Sequence, residues 1–354
     1  MGPTNLNHTM TRGTDMINVG VVGYGYWGPN VARNFNGTPG ARVVAISDAD
    51  EASLARAEQS YPGVRMERNC AQLVTASDLD VIAIVTPVSS HFEIAKAALL
   101  NGKHIFVEKP FTASVAQAEE LVELAEKKRL KIMVDHTFLF TGAVKKIKEL
   151  IDDGVLGELY YFDSIRVNLG LFQKDVNVVW DLAPHDLSIM DHLIDKEPTA
   201  VMATGVAHFN NALEDVAYVT IYFPGNVIAH LNVNWLSPVK IRTTLIGGQK
   251  KMLVWNDLVN DEKIRVYDKG VEGMEGLMES KEKSYGLRVS YRSGDMWAPR
   301  VNQVEALKGE AAYFIDCINN DLTPKNDGRA GLRVVRMLEA IIKSLKLGGT
   351  LVRL

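Results

Sequence analysis

Asp181 and His185, four residues apart, and the lysine of Glu108-Lys109-Pro110 are the side chains of this sequence best suited to chemistry on a hydroxyl group. Oxidising a secondary alcohol removes a hydride and a proton. A protein that does this needs a base, a group that fixes the oxygen, and a hydride acceptor. His185 is of the residue type that serves as a base near neutral pH. Lys109 can hold the reacting oxygen and stabilise the charge that develops on it. Asp181 shares a face with His185 if the segment is helical; it could instead cap the helix that follows. A third feature is the stretch NVGVVGYGYWGPNVARNF, in which Gly23, Gly25 and Gly28 have the spacing G-x-G-x-x-G. Between a strand and a helix, that spacing cradles a dinucleotide pyrophosphate.

The elements around the glycines meet this condition. INVGVV, residues 17–22, is a strand-type apolar run, and Val31, Ala32 and Phe35 follow at helical spacing. Gly23 suits the tight turn, Gly25 lets a pyrophosphate approach the backbone, and Gly28 lets the helix pack close. Pro29 suits the first helical turn. The next strand ends at Asp48, twenty residues past Gly28, where a carboxylate can accept hydrogen bonds from a ribose. Strands and helices keep alternating up to KIMVDHTF, which implies a doubly wound parallel sheet with ligands at the carboxyl ends of its strands. Those ends carry Asp48, Thr86-Pro87, Glu108-Lys109-Pro110 and His136. With Tyr26 and Trp27 in the glycine loop, Asp48, Thr86, Pro87, Glu108 and Lys109 are the candidate cofactor contacts; His136 is a candidate for lining the substrate cleft. Beyond WDLAPHDLSIMDHLID the chain becomes a run of strands with short links such as FPGN, hence a mostly antiparallel sheet, and it ends in two helical segments.

Taken in order, the glycines, E-K-P, TPVSSH at 86–91, the D-x-x-x-H of Asp181 and His185, and DGRAGLRVVRMLEA near the end resemble the Gfo/Idh/MocA oxidoreductases. The resemblance extends over nearly all of the chain from Met16. It implies a Rossmann domain, an open and mostly antiparallel sheet after it, substrate between the two, and NAD or NADP as cofactor. It maps the family lysine onto Lys109, the acidic and histidine pair onto Asp181 and His185, and a cis peptide onto Pro110. His91, in the nicotinamide-side segment, either faces the cofactor or caps a helix. Two departures bear on the shape of the sugar pocket: NVVW replaces a glycine-rich segment, and Pro184 replaces a small or apolar residue. Pairing of exposed sheet faces in the family implies a homodimer or homotetramer.

The expected organisation is a polar, disordered leader over 1–15, an NAD-binding domain over 16–138, and a substrate-binding and oligomerisation domain over 139–354. Asp48 favours NAD over NADP. The 354 residues are 47% hydrophobic and 23% charged with net charge −4, as for a soluble protein. Without a Lys/Arg block, nucleic acid is not an expected partner. No apolar run is long enough to span a membrane. Two distant cysteines, Cys70 and Cys317, suit reduced thiols in a cytoplasm, and no ligand spacing marks a metal site. SYGLRVSYRSGDMWAPRV, residues 284–301, mixes Tyr285, Arg288, Tyr291, Arg292 and Trp297. Arginines among aromatics suit a phosphate on a stacked base or a loop at an oligomer interface. A phosphate there would make Arg288 and Arg292 substrate contacts, as in the family's UDP-N-acetylglucosamine 3-dehydrogenases. The expected activity is therefore oxidation of a sugar-ring secondary hydroxyl, first of all C3 of a nucleotide-linked amino sugar. Alternatives are a free-sugar or inositol dehydrogenase, a nucleotide ketosugar reductase, and a non-catalytic NAD-binding regulator.

Overall fold

In the computed structural model, residues 16–170, 176–209, 213–272 and 290–354 are described. The first half alternates as the sequence implies: β1 (Ile17–Val22), α1 (Gly28–Asn36), β2 (Ala41–Ser47), α2 (Glu51–Ser60), β3 (Arg65–Glu67), α3 (Cys70–Thr75), β4 (Val81–Ile84), α4 (Val88–Leu100), β5 (His104–Glu108), α5 (Val115–Lys128) and β6 (Ile132–Asp135). The strands form one parallel sheet in the order β3-β2-β1-β4-β5-β6, the Rossmann order. Helices on both faces explain why β4 reads as an unbroken apolar run, with Val81, Ile82, Ala83 and Ile84 fully buried.

After β6 a 3-10 turn, Thr137–Phe140, leads into α6 (Gly142–Asp152), β7 (Leu159–Val167) and α7 (Val178–Leu193). Then come β8 (Ala200–Val206), β9 (Val216–Tyr222), β10 (Ile228–Asn234), β11 (Ile241–Gly248), β12 (Met252–Asn256), β13 (Ile264–Glu272) and β14 (Ser290–Trp297). The chain closes with α8 (Ala306–Asn319), α9 (Gly328–Lys346) and β15 (Val352–Arg353). The second sheet, in the order β14-β13-β12-β11-β7-β10-β9-β8-β15, is antiparallel except where β10 runs parallel to β7. Its strands alternate: Ala217, Val219 and Ile221 of β9 and Ala229, Leu231 and Val233 of β10 are buried, with polar or half-exposed residues between them. The inward set joins one core with residues of α7 and α9. Each large aliphatic side chain buried there contributes about 1.5–3 kcal/mol.

Two features set the site. Asn177 caps α7, its side chain accepting from the Trp180 amide at 3.1 Å, so Asp181 falls in the first turn and does not need to cap. The C-terminal helices return to the first sheet: α9 contacts α5 and β6 as well as β8, and α8 lies against α1. The C-terminal helices therefore touch both sheets.

Candidate functional site

The glycine loop is built for a ligand approaching the backbone. Gly23 has φ +97°, and a Cβ on it would lie 2.4 Å from the carbonyl oxygen of Val85. A Cβ on Gly28 would lie 2.3 Å from the Gly23 oxygen, so α1 can start this close to the turn only from glycine. Gly25 has nothing within 4 Å of where its Cβ would be. α1 has Trp27 at its cap position with no side-chain cap and Pro29 in its first turn, leaving its start open to an anion. Asp48 faces the same loop, its Oδ2 accepting from the Tyr24 amide at 2.6 Å and its Oδ1 from the Asp50 amide at 2.8 Å. An open backbone, an uncapped helix start and an adjacent carboxylate fit NAD. A carboxylate set to meet ribose hydroxyls repels a 2′-phosphate. Titration should therefore give tighter binding of NADH than NADPH, and Asp48→Ser should narrow the gap. Tighter binding of NADPH by the unaltered protein would contradict this.

A cavity of about 510 Å³ opens beside this loop. Tyr26 and Trp27 come to it from the loop, Glu108 and Lys109 from the end of β5, and Asp181 and His185 from α7. Because α7 is helical through Pro184, the four-residue spacing puts Asp181 and His185 on one wall. The Lys109–Pro110 peptide is cis. Lys109 Nζ donates to the Asp181 carbonyl at 3.0 Å and lies 3.8 Å from its Oδ1. The other carboxylate oxygen of Asp181 accepts from the buried Trp235 indole at 3.0 Å. Asp181 thus links the lysine to the second sheet. His185 stands edge-on to Phe138, with ring centroids 5.1 Å apart, and its Nδ1 is buried without a partner among the described residues.

Burial first, then the charges of Lys109 and Arg166, holds His185 well below the ordinary histidine range. It is a neutral acceptor at pH 7. Glu108 moves the other way: burial, and then the adjacent Asp135 charge, push it well above the usual carboxylate range, opposed by Lys109. Asp135, 1% exposed, accepts from the Trp27 indole at 2.9 Å and from the Thr137 hydroxyl. One carboxylate therefore ties the glycine loop to the end of β6. Arg166 and Asp186 form a buried bidentate pair at 2.8 and 3.0 Å just behind His185.

Several expected contacts lie elsewhere. His136 does not line this cavity. Asp135, one position earlier, takes the cavity side, and the alternation of extended backbone turns His136 away into a small pocket beside Ser188, His192 and Lys325. It is 2% exposed, and burial lowers its pKa to about 4. His91 neither caps α4, whose cap position is Pro87, nor lines the cavity. Its ring is buried, with Nδ1 3.0 Å from the Pro110 carbonyl oxygen and Nε2 2.8 Å from that of Thr86. It ties together the two loops that carry Thr86-Pro87 and Lys109-Pro110. The Thr86 hydroxyl accepts from Ser90 at 2.7 Å. Arg292 belongs to β14, an edge strand where the sequence suggested a loop. Its Nε donates to Asp268 at 3.0 Å, and it is absent from the cavity wall among the described residues. Tyr285 and Arg288 lie outside the described residues. Asp135, Thr137, Phe138, Thr141 and Arg242 do line the cavity, and sequence reasoning missed them. The strand-end position of Asp135 was a usable signal; Arg242, inside a strand with no motif, offered none.

Comparison with known proteins identifies the family. Residues 17–136 match the family described as "Oxidoreductase family, NAD-binding Rossmann fold", and residues 144–254 match the "GFO/IDH/MocA C-terminal domain". The chain belongs to the Gfo/Idh/MocA oxidoreductase family, and its N-terminal Rossmann domain is of the NAD-binding kind. It is 36% identical to the uncharacterized oxidoreductase YdgJ of Escherichia coli (strain K12), over 49% of this chain and 52% of that protein. It is 24% identical to the D-apiose dehydrogenase of Paraburkholderia graminis, over 93% and 88%. It is 25% identical to the UDP-N-acetylglucosamine 3-dehydrogenase of Acidithiobacillus ferrooxidans, over 90% and 94%. The solved structure of that last enzyme superposes with a TM-score of 0.77 at 22% identity, covering 94% of this chain and 98% of the other, a likeness of fold. Among the described residues no helix is long and apolar enough to cross a membrane, and no three His, Cys, Asp or Glu side chains gather as a metal site.

Proposed function

We propose that this protein oxidises a secondary hydroxyl on a sugar ring with NAD. The observation that carries the reading is the convergence of Lys109, Asp181 and His185 on one cavity that the glycine-loop residues Tyr26 and Trp27 also line. When bound, NAD supplies the hydride acceptor. Gly23, Gly25 and Gly28 hold its pyrophosphate and Asp48 its ribose. Lys109, fixed by the Asp181 carbonyl, donates a hydrogen bond to the reacting oxygen and stabilises the negative charge that grows there. The positive charge of Lys109 makes the hydroxyl more acidic, which suits a base of lowered pKa. Neutral His185 accepts the hydroxyl proton. Asp181, held by Trp235, keeps the lysine in place.

Within that chemistry we favour a nucleotide-linked amino sugar oxidised at C3, the support being the end-to-end similarity to a UDP-N-acetylglucosamine 3-dehydrogenase. The similarity to a D-apiose dehydrogenase, equally extended, favours a free sugar as the second reading. We also propose a division of the chain near residue 138, and a cytoplasmic homodimer or homotetramer. Supporting these in turn are the family matches that end at 136 and resume at 144, the free thiols of Cys70 and Cys317, and the exposed Tyr218 and Ile228 of the second sheet. The experiment is a screen of UDP- and dTDP-sugars, free sugars and inositols with NAD, following NADH absorbance. A rise with UDP-N-acetylglucosamine supports the first reading. A rise only with free sugars supports the second.

A further inference from the structure

Arg242 is a cation on the wall of the cavity whose one ion pair among the described residues, with Asp257, is long. It lies on β11 directly across from Arg166 of β7, a register that sets two like charges against each other. Both guanidinium groups sit over one ring, Phe138, at 4.7 Å for Arg166 and 5.8 Å for Arg242. Arg166 is fully compensated by the two hydrogen bonds it donates to Asp186. Arg242 reaches only Asp257 Oδ2, at 3.5 Å, the outer limit of a hydrogen bond. Asp257 also serves Lys263, whose Nζ donates to its carbonyl at 2.8 Å and lies 3.9 Å from its Oδ1. Burial and then Arg166 pull the Arg242 pKa down, with Asp257 and, more weakly, Asp186 opposing. A guanidinium has five donors, and most of those on Arg242 have no partner among the described residues. His185 and Lys109 share its cavity.

We infer that Arg242 binds an oxyanion carried by the substrate, a carboxylate or a phosphate, while the reacting hydroxyl sits at Lys109 and His185. An oxyanion arriving there supplies a second counter-charge in the bidentate form that a guanidinium favours. It also relieves the opposition of Arg242 and Arg166. The substrate class is then an anionic sugar: a sugar acid, a sugar phosphate or a nucleotide sugar. Neutral hexoses and inositols would leave Arg242 with its long pair to Asp257 alone. The inference rests on the dehydrogenase reading for the placing of the hydroxyl and the choice of probes.

Binding, not turnover, is the test, so that failure here and failure of the dehydrogenase reading stay distinct. Calorimetric titration of the NAD-loaded protein compares D-glucuronate, glucose 1-phosphate and UDP-glucose with neutral D-glucose and myo-inositol. At least one anionic probe should bind about 10- to 100-fold more tightly than the neutral ones, the range for a hydrogen bond to a charged group. Which probe does so separates a carboxylate from a phosphate. Arg242→Gln should abolish the preference, and Arg242→Lys should keep part of it. Equal or undetectable binding of both classes by the unaltered protein overturns the inference whether or not the variants fold. A preference that survives in Arg242→Gln overturns it as well.

Discussion

Replacing His185 by Asn should lower kcat by about 10²- to 10⁴-fold, the usual cost of losing a general base, and leave NADH affinity unchanged. Asn keeps some polarity and much of the bulk but cannot take the proton. The glycine loop and Asp48, which hold the cofactor, are untouched. The pH profile gives a second readout. Burial and the positive charges of Lys109 and Arg166 hold His185 below its ordinary range, so it stays unprotonated as the pH falls through 6.5. The acid limb of kcat/KM assigned to this group should therefore lie below the usual histidine value. It should vanish in His185→Asn. Near-normal kcat in the variant would remove His185 as the base and leave Lys109 as the candidate for proton transfer.

Asp186→Ala should destabilise the protein by about 3–5 kcal/mol, the cost of leaving a buried charge without its partner. Asp186 is 2% exposed and Arg166 is 4% exposed. Removing the carboxylate also strands the Ser164 hydroxyl, which donates to it at 3.0 Å. Arg333 and Asp191 make a similar bidentate pair at 2.8 Å, but Arg333 is 38% exposed. Asp191→Ala should therefore cost much less. The double change Arg166→Met with Asp186→Leu should recover most of the loss, because a well-packed apolar pair replaces a buried ion pair at little cost. Urea unfolding of the four proteins checks this. A loss below about 1 kcal/mol in Asp186→Ala, the size expected for an exposed pair, would mean that water reaches Arg166 and that the wall behind His185 is not dry.

The first half of the fold was legible because its signals are local. Apolar runs such as VIAI at β4, and glycines at Gly23 and Gly28 that no other residue can replace, mark their own places. Lys109, Asp181 and His185 were legible because one lies in a tripeptide at a strand end and the others share a helical spacing. What escaped depends on contacts far apart in sequence. Trp235 meets Asp181 across 54 residues, and Trp27 meets Asp135 across 108. Arg242 looks like any strand residue until β11 pairs with β7 and sets it opposite Arg166. His136 is a candidate for the cleft because it ends a strand, yet a one-residue change of side reverses which way a side chain points. β14 was missed because Ser293 and Gly294 break the apolar alternation that would mark a strand; its pairing with β13 carries it instead.

The central claim is that Lys109 serves the reacting oxygen and not the cofactor. The direct measurement is the rate of NADH formation by Lys109→Ala beside that of the unaltered protein, on the sugar the screen identifies, with NADH affinity titrated on the same preparations. The account predicts a rate lower by about 10²- to 10³-fold, as for the loss of one oxyanion donor, and an unchanged affinity for NADH. A variant that forms NADH at the normal rate, or an unaltered protein that binds NADH yet forms it from none of the sugars, would contradict the account and favour a non-catalytic, NAD-binding role.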